Sequence, residues 1–197
     1  MKQDVEDGKL WKSLKSGNLN ALEKVFKSHY AYLHNYGLKM VNNVDLVEDC
    51  LQDLFLHIYE NRKNLGEVKY IRSYLFTAFR RNLLYRIKQY NNKIVASDDV
   101  ELRFTPEETG LTDREVFRNE VLSDMLNSLS PRQKELIYLR YYQEMSVQEI
   151  SKTISVAPRG ITNMLYKAML KLKSDKISLL KLEKLITLAI LIVFGNF

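Results

Sequence analysis

Between Tyr70 and Tyr90 the chain interleaves aromatic residues (Tyr70, Tyr74, Phe76, Phe79, Tyr85, Tyr90) with bases (Arg72, Arg80, Arg81, Arg86, Lys88). That mixture suits a single-stranded nucleic acid, because cations track the phosphates and rings stack on unpaired bases. At helical spacing Tyr74, Leu75, Ala78 and Phe79 also read as ordinary core; the arginines are harder to explain that way. A second set, Arg159, Thr162, Asn163, Tyr166 and Lys167, falls opposite an apolar stripe of Ile161, Leu165, Ala168 and Leu172. A polar, basic helix face of this kind fits the duplex major groove, although any small helical bundle carries comparable stripes. A third set, Asp49, Gln52, Asp53 and Leu56, recurs at i, i+3, i+4 and i+7. It reads equally as a solvated face or as a docking stripe with one apolar residue among acids.

Catalytic chemistry has no comparable carrier. There is no Ser/His/Asp set, paired-carboxylate signature, metal-ligand cluster or glycine-rich phosphate loop. His29 and His34 lie five apart and share no helix face, and Cys50 falls on an apolar face as a packed thiol. No catalytic residue, metal or cofactor is expected.

The elements that must position these sets are helices. The chain has 197 residues with only 7 Gly and 3 Pro, and strand-like alternation is scarce. A short helix over 7–15 turns Leu10, Trp11 and Leu14 inward. The Gly17-Asn18 break precedes a helix over 19–40 with Leu22, Val25, Phe26, Tyr30, Leu33 and Met40 as its stripe. After Asn42-Asn43 a third helix is expected to be capped by Asp45 with Glu48 reciprocal, burying Leu46, Val47, Cys50, Leu51, Leu54, Phe55 and Ile58. The polar loop 61–69 turns at Gly66. Residues 91–112 have no sustained period and read as a linker. A helix over 113–127, with Val121, Leu122, Met125 and Leu126 inward, leads to three further helices within 129–173, the last two a helix-turn-helix. Ser130 with Gln133 and Ser146 with Glu149 form two capping boxes, Pro131 opens its helix, the chain turns at Ser155, and Pro158 opens the third.

Net charge is +6, which favours a polyanionic partner. It is unevenly spread: residues 62–93 hold nine Lys/Arg against Glu67 alone, residues 98–110 hold five acids against Arg103, and residues 152–176 hold six Lys/Arg against Asp175. Two basic segments around an acidic one suggest two contact points on one long polyanion. A single Cys suits a reducing cytoplasm, and the polar N-terminus does not read as a signal peptide. The tail Leu185–Phe197 is uncharged but only 13 residues long, short of the roughly 20 needed to span a bilayer. Packing on the protein or docking on a partner is favoured for it over contact with a membrane surface.

Three stretches together resemble the extracytoplasmic-function sigma factors of the sigma-70 family, which direct bacterial RNA polymerase to promoters. EDCLQDLFLHIYE (48–60) resembles the family's core-binding helix, SYLFTAFRRNLLYRIKQ (73–89) its melting and −10 reading helix, and LSPRQKELIYLRYYQEMSVQEISKTISV (129–156) its −35 reading domain. The resemblance covers about residues 8–173. It implies an all-α chain: sigma region 2 over 1–92, an acidic flexible linker over 93–112, sigma region 4 over 113–175, and the apolar tail over 176–197. It puts Asp49, Gln52, Asp53 and Leu56 against core RNA polymerase. Lys63, Asn64, Lys69, Arg72, Arg80, Arg81 and Lys88 would meet melted −10 DNA, and Arg159, Thr162, Asn163, Tyr166 and Lys167 would meet duplex −35 DNA. It further implies a cytoplasmic, non-catalytic protein governed by an anti-sigma factor, often membrane-bound. The 178–197 tail leaves room for another partner or a membrane surface.

The departures are specific. Arg81 stands where the family usually has Asn, Tyr85 where it has Asp, Lys88 where it has Arg, Ser155 at the turn glycine and Gly160 at a threonine. The promoter sequence therefore does not carry over. Two other readings compete: a dimeric helix-turn-helix regulator that does not replace a sigma subunit, which leaves helix 70–89 unexplained, and a helical adaptor docking through its tail.

Overall fold

The computed structural model describes residues 2–90, 102–105 and 113–175, without the side chains of 2–5, 90 and 113–118. Most of the expected linker and the whole tail from 176 lie outside the described residues. Among those described there are helices and turns but no strand.

Four helices open the chain: α1 (Lys2–Lys15), α2 (Leu19–Met40), α3 (Val44–Glu60) and α4 (Ile71–Tyr90), with a 3-10 turn at Arg62–Asn64. Trp11, Val25, Leu33, Val47, Leu51, Ile58, Leu75, Phe79 and Leu83 fill the space between them. The caps follow from short polar side chains that accept from the orphan amides of a first turn. Asn18 Oδ1 accepts from Asn20 N at 3.0 Å, and Asn43 Oδ1 accepts from Leu46 N at 3.0 Å. Asn43, not Asp45, therefore caps α3. Asp45 sits inside the first turn, where its charge complements the helix dipole. The start of α4 is served from a distance, since Ile71 N donates to Asp7 Oδ2 of α1 at 3.1 Å. Trp11 ties the same helix to the 61–69 loop by donating its indole N–H to Gly66 O at 2.9 Å.

The α2 stripe is rotated from the expected one. Ala21, Val25, Leu33, Tyr36 and Gly37 are buried, whereas Phe26 is 40% exposed at the rim, edge-on to Phe55. The rotation lets Tyr36 and Gly37 meet α4 and the second half of the chain.

That half comprises α5 (Asp113–Asn127), α6 (Pro131–Ile137), a π-helical turn at Tyr138–Tyr142, α7 (Val147–Ile154) and α8 (158–175). Both capping boxes form as expected, at Ser130/Gln133 and Ser146/Glu149. Ser155 takes the left-handed conformation (φ 55°) that ends α7. On α5, Leu126 is buried, but Leu122 faces an open groove shared with Phe104 and Tyr142.

The two halves share one continuous apolar cluster. Helix α4 packs against α3 and also against α7. Within the expected linker, residues 102–105 are held in place. Leu102 and Phe104 are buried, Phe104 exchanges two hydrogen bonds with the Asn127 side chain (3.1 and 2.8 Å), and Arg103 N donates to Lys39 O at 3.1 Å.

Candidate nucleic-acid interface

Helix α8 is presented as a helix-turn-helix requires. Ile150 and Ile154 of α7 and Ile161, Leu165 and Ala168 of α8 are all buried in the shared apolar cluster, which turns the opposite side of α8 outward. Arg159, Thr162, Asn163, Tyr166 and Lys167 are all exposed, Tyr166 at 64%. Thr162 donates its hydroxyl to Pro158 O at 3.1 Å, which steadies its rotamer within the first turn. The five residues form one face, as their spacing implied. Gly160 lies in the same turn, and a Cβ there would meet Val156 Cγ1 at 3.0 Å.

The seven cations and amides expected on melted DNA divide into two groups. Lys63 and Asn64 in the 3-10 turn, Lys69 and Arg81 are exposed, and Lys88 is half-buried. The Lys69 ammonium stands 5.2 Å from the Tyr70 ring. Arg72 and Arg80 instead turn inward. Arg72, Phe76 and Arg80 fall at i, i+4 and i+8, so they share a helix face, and that face meets the second half of the chain. Arg80 is only 6% exposed and grips Glu135 through Nε–Oε1 at 2.7 Å and Nη2–Oε2 at 3.2 Å.

Glu135 is completely buried and also accepts from Tyr36 OH at 2.6 Å and Arg132 Nη1 at 3.4 Å. A buried carboxylate survives only when its lone pairs are occupied, and these donors occupy them. Burial and then the Glu135 charge hold the Tyr36 hydroxyl well above its ordinary pKa. Burial alone would lower the Arg80 guanidinium, but the hydrogen bond and charge of Glu135 outweigh it and raise it. Neither Tyr36 nor Glu135 was legible as a site residue, since their partners lie 55 and 99 positions away. The i, i+4, i+8 placement of Arg72 and Arg80 beside buried Phe76 was the one available signal.

The third set keeps its stripe. Asp49, Gln52, Asp53 and Leu56 are exposed along α3, with Leu56 at 51%. Arg86 of α4 reaches over it, bonding Asp53 and standing 3.8 Å from Asp49. Cys50 lies beneath, buried, and burial pushes its thiol up to about 11, so it remains protonated. Among the described residues no group of His, Cys, Asp and Glu is placed to hold a metal ion, and no helix is long and apolar enough to cross a membrane.

Family profiles resolve what this arrangement belongs to. The Sigma-70 region 2 profile matches residues 25–93, and the Sigma-70, region 4 profile matches residues 119–172. The chain belongs to the sigma-70 family. Its curated relatives place it among the extracytoplasmic-function members. RNA polymerase sigma factor YlaC of Bacillus subtilis is 20% identical over 164 residues, covering 79% of this chain and 92% of that protein. ECF RNA polymerase sigma factor SigL of Mycobacterium tuberculosis is 22% identical over 156 residues, covering 77% and 86%. Among solved structures the fold resembles CnrH in complex with the cytosolic domain of CnrY, with a TM-score of 0.58 at 17% identity, covering 87% of this chain and 95% of that one. It also resembles the sigma factor RpoE in complex with the anti-sigma factor NepR from Bartonella quintana, with a TM-score of 0.56 at 18% identity, covering 78% and 94%. The chain is thus an RNA polymerase sigma factor by family.

Proposed function

We infer that this sigma factor binds core RNA polymerase through the α3 stripe and selects promoters with two separate surfaces. The observation that carries the reading is the α8 face: five polar or basic side chains point outward together, backed by a buried helix-turn-helix core. Such a face reads duplex DNA in the major groove, and here it would read the −35 element. The exposed cations of the 61–69 turn and α4, with Arg72 and Arg80 once uncovered, would track the melted −10 strand. On α3, exposed Leu56 beside Asp49, Gln52 and Asp53 supplies an apolar anchor in a charged rim, the anatomy of a protein-docking patch. Polymerase performs the chemistry; the sigma factor contributes position. Both structural neighbours are complexes, one of them with an anti-sigma factor, which supports an anti-sigma partner for this chain.

The test is transcription in vitro with core polymerase, with and without the chain, on a fragmented genomic library, sequencing 5′ ends. Start sites that share a two-part upstream pattern and appear only with the chain are expected. Arg159→Ala should then reduce initiation at sites dependent on the upstream element while leaving polymerase affinity intact. Equal loss of both, or no chain-dependent starts, would overturn the reading.

A further inference from the structure

The region 2 profile begins at residue 25, so α1 lies before it. Helix α1 is nonetheless tied to the 61–69 loop, which carries Lys63, Asn64 and Lys69 and has no regular structure beyond its 3-10 turn. Trp11 makes the central tie. It is fully buried, its ring stands edge-on to Tyr74 of α4 at 5.0 Å, and its indole N–H donates to Gly66 O at 2.9 Å. One turn further on, Lys15 Nζ reaches Glu67 Oε1 at 3.2 Å. One turn back, Asp7 Oδ2 accepts from Ile71 N at 3.1 Å, where the loop becomes α4. Asp7, Trp11 and Lys15 are spaced i, i+4 and i+8, so they fall along one face of α1.

A buried indole N–H needs some acceptor, so Trp11 alone could be ordinary core. Three polar residues of one helix face that converge on the same short segment, 66–71, ask for more. The side chains expected on melted DNA lie on both sides of Gly66, with Lys63 and Asn64 before it and Lys69 after it, and all three are exposed. Irregular backbone has no ladder of its own, so its shape must be set by partners elsewhere. Ordering it at the moment of binding would cost conformational entropy for each residue fixed. The ties from α1 supply that order in advance. Because Trp11 is fully buried, any effect it has on DNA must pass through the loop.

We propose that α1 is a positioning element of the −10 surface: Asp7, Trp11 and Lys15 clasp the 61–69 loop and its junction with α4, so that Lys63, Asn64 and Lys69 are held ready for one melted strand. The proposal rests on the promoter-binding reading above and extends it to residues before the matched profile. Helix α1 raises affinity for the strand without touching it, by sparing the loop the cost of ordering.

Trp11→Phe tests it in the full-length chain assembled with core polymerase, because it keeps a ring beside Tyr74 and removes the donor to Gly66. The probe is a fluorescein-labelled single-stranded oligonucleotide with the non-template sequence upstream of a start site that the chain specifies. Its affinity should fall about three- to tenfold, the net worth of one hydrogen bond, while polymerase affinity stays the same. Hydrogen exchange of the 65–71 amides should quicken, with α3 unchanged. Ile58→Val, a core change on α3 outside the clasp, controls for lost stability and should leave oligonucleotide binding unaltered. Asp7→Ala is a less buried second variant with a telling sign. It removes a negative charge, which by itself favours DNA, yet loss of the Ile71 tie should weaken oligonucleotide binding. Normal binding by Trp11→Phe, tighter binding by Asp7→Ala, or an equal loss in Ile58→Val would each overturn the proposal. If the parent holoenzyme neither initiates nor binds the oligonucleotide, the promoter reading fails instead, and exchange over 65–71 still decides whether α1 orders the loop.

Discussion

Gly37 sits where α2 crosses both α3 and α4. A Cβ there would meet Val47 Cγ1 at 2.8 Å and Phe79 Cζ at 2.9 Å, and both neighbours are fully buried. Alanine is the better helix former by about 1 kcal/mol, but forcing a methyl into a packed core costs typically about 1–3 kcal/mol. Gly37→Ala should therefore lower the urea midpoint, against its helix propensity. A raised midpoint would show that Val47 and Phe79 can yield. His29 makes a different residue-scale prediction. Burial holds its pKa below the ordinary 6.5, with Arg72 lowering it further, and the Val25 carbonyl and Asp7 opposing. The folded protein thus keeps the ring neutral while the unfolded chain takes the proton first. Stability is fully present above about pH 6.5 and declines as pH falls through that value toward the folded pKa. The urea midpoint should drop between about pH 7.5 and about pH 5.5, and His29→Gln should flatten that drop.

At the scale of elements, the helix-turn-helix rests on its caps. Ser146 Oγ accepts from Glu149 N at 3.2 Å, and Glu149 Oε2 accepts from Ser146 N at 2.8 Å. Since α7 has only eight residues, one lost cap is a large share of its support, and Ser146→Ala should cost about 1 kcal/mol. Hydrogen exchange of the α7 amides would register that loss, and unchanged exchange would place the stability of α7 in packing alone. Such boxes were legible because cap and partner lie three residues apart. The α8 face was legible for the same reason, its period being local. The caps of α3 and α4 were not. Asn43 displaces Asp45 by sitting two residues earlier in extended geometry, and Asp7 serves α4 from another helix. The α2 stripe was misread at Phe26 and Tyr36 because a wide apolar face does not say which of its edges a distant helix will cover. Arg72 and Arg80 show the same limit. Their types pointed to phosphate, but the carboxylate that holds Arg80 comes from Glu135, on an element that no local pattern connects to α4.

For the whole molecule, the shared core makes the two halves thermodynamically dependent on each other. A unit of roughly 60 residues, the size of α5–α8, is marginal by itself, so its stability in this chain draws on the contact with α4. The buried Arg80–Glu135 pair strengthens that dependence in one direction. The pair adds little over an apolar contact, but removing one partner leaves a buried charge, which costs about 3–5 kcal/mol unless the contact with α4 opens to hydrate it. Opening is the cheaper response here, because that contact lies between two units that each retain apolar packing of their own. Glu135→Gln should therefore uncouple the halves. Trp11 provides the reading, because it is the chain's one tryptophan and lies in the first half, whereas helical circular dichroism reports both halves. In the parent protein, thermal melts followed by Trp11 fluorescence and by circular dichroism should coincide as one transition. In Glu135→Gln the circular dichroism should begin to fall first, as α5–α8 melt, with Trp11 following at a higher temperature. Coincident melts in the variant would mean that the apolar contacts of Tyr36, Phe104 and Tyr138 suffice to couple the halves without the ion pair.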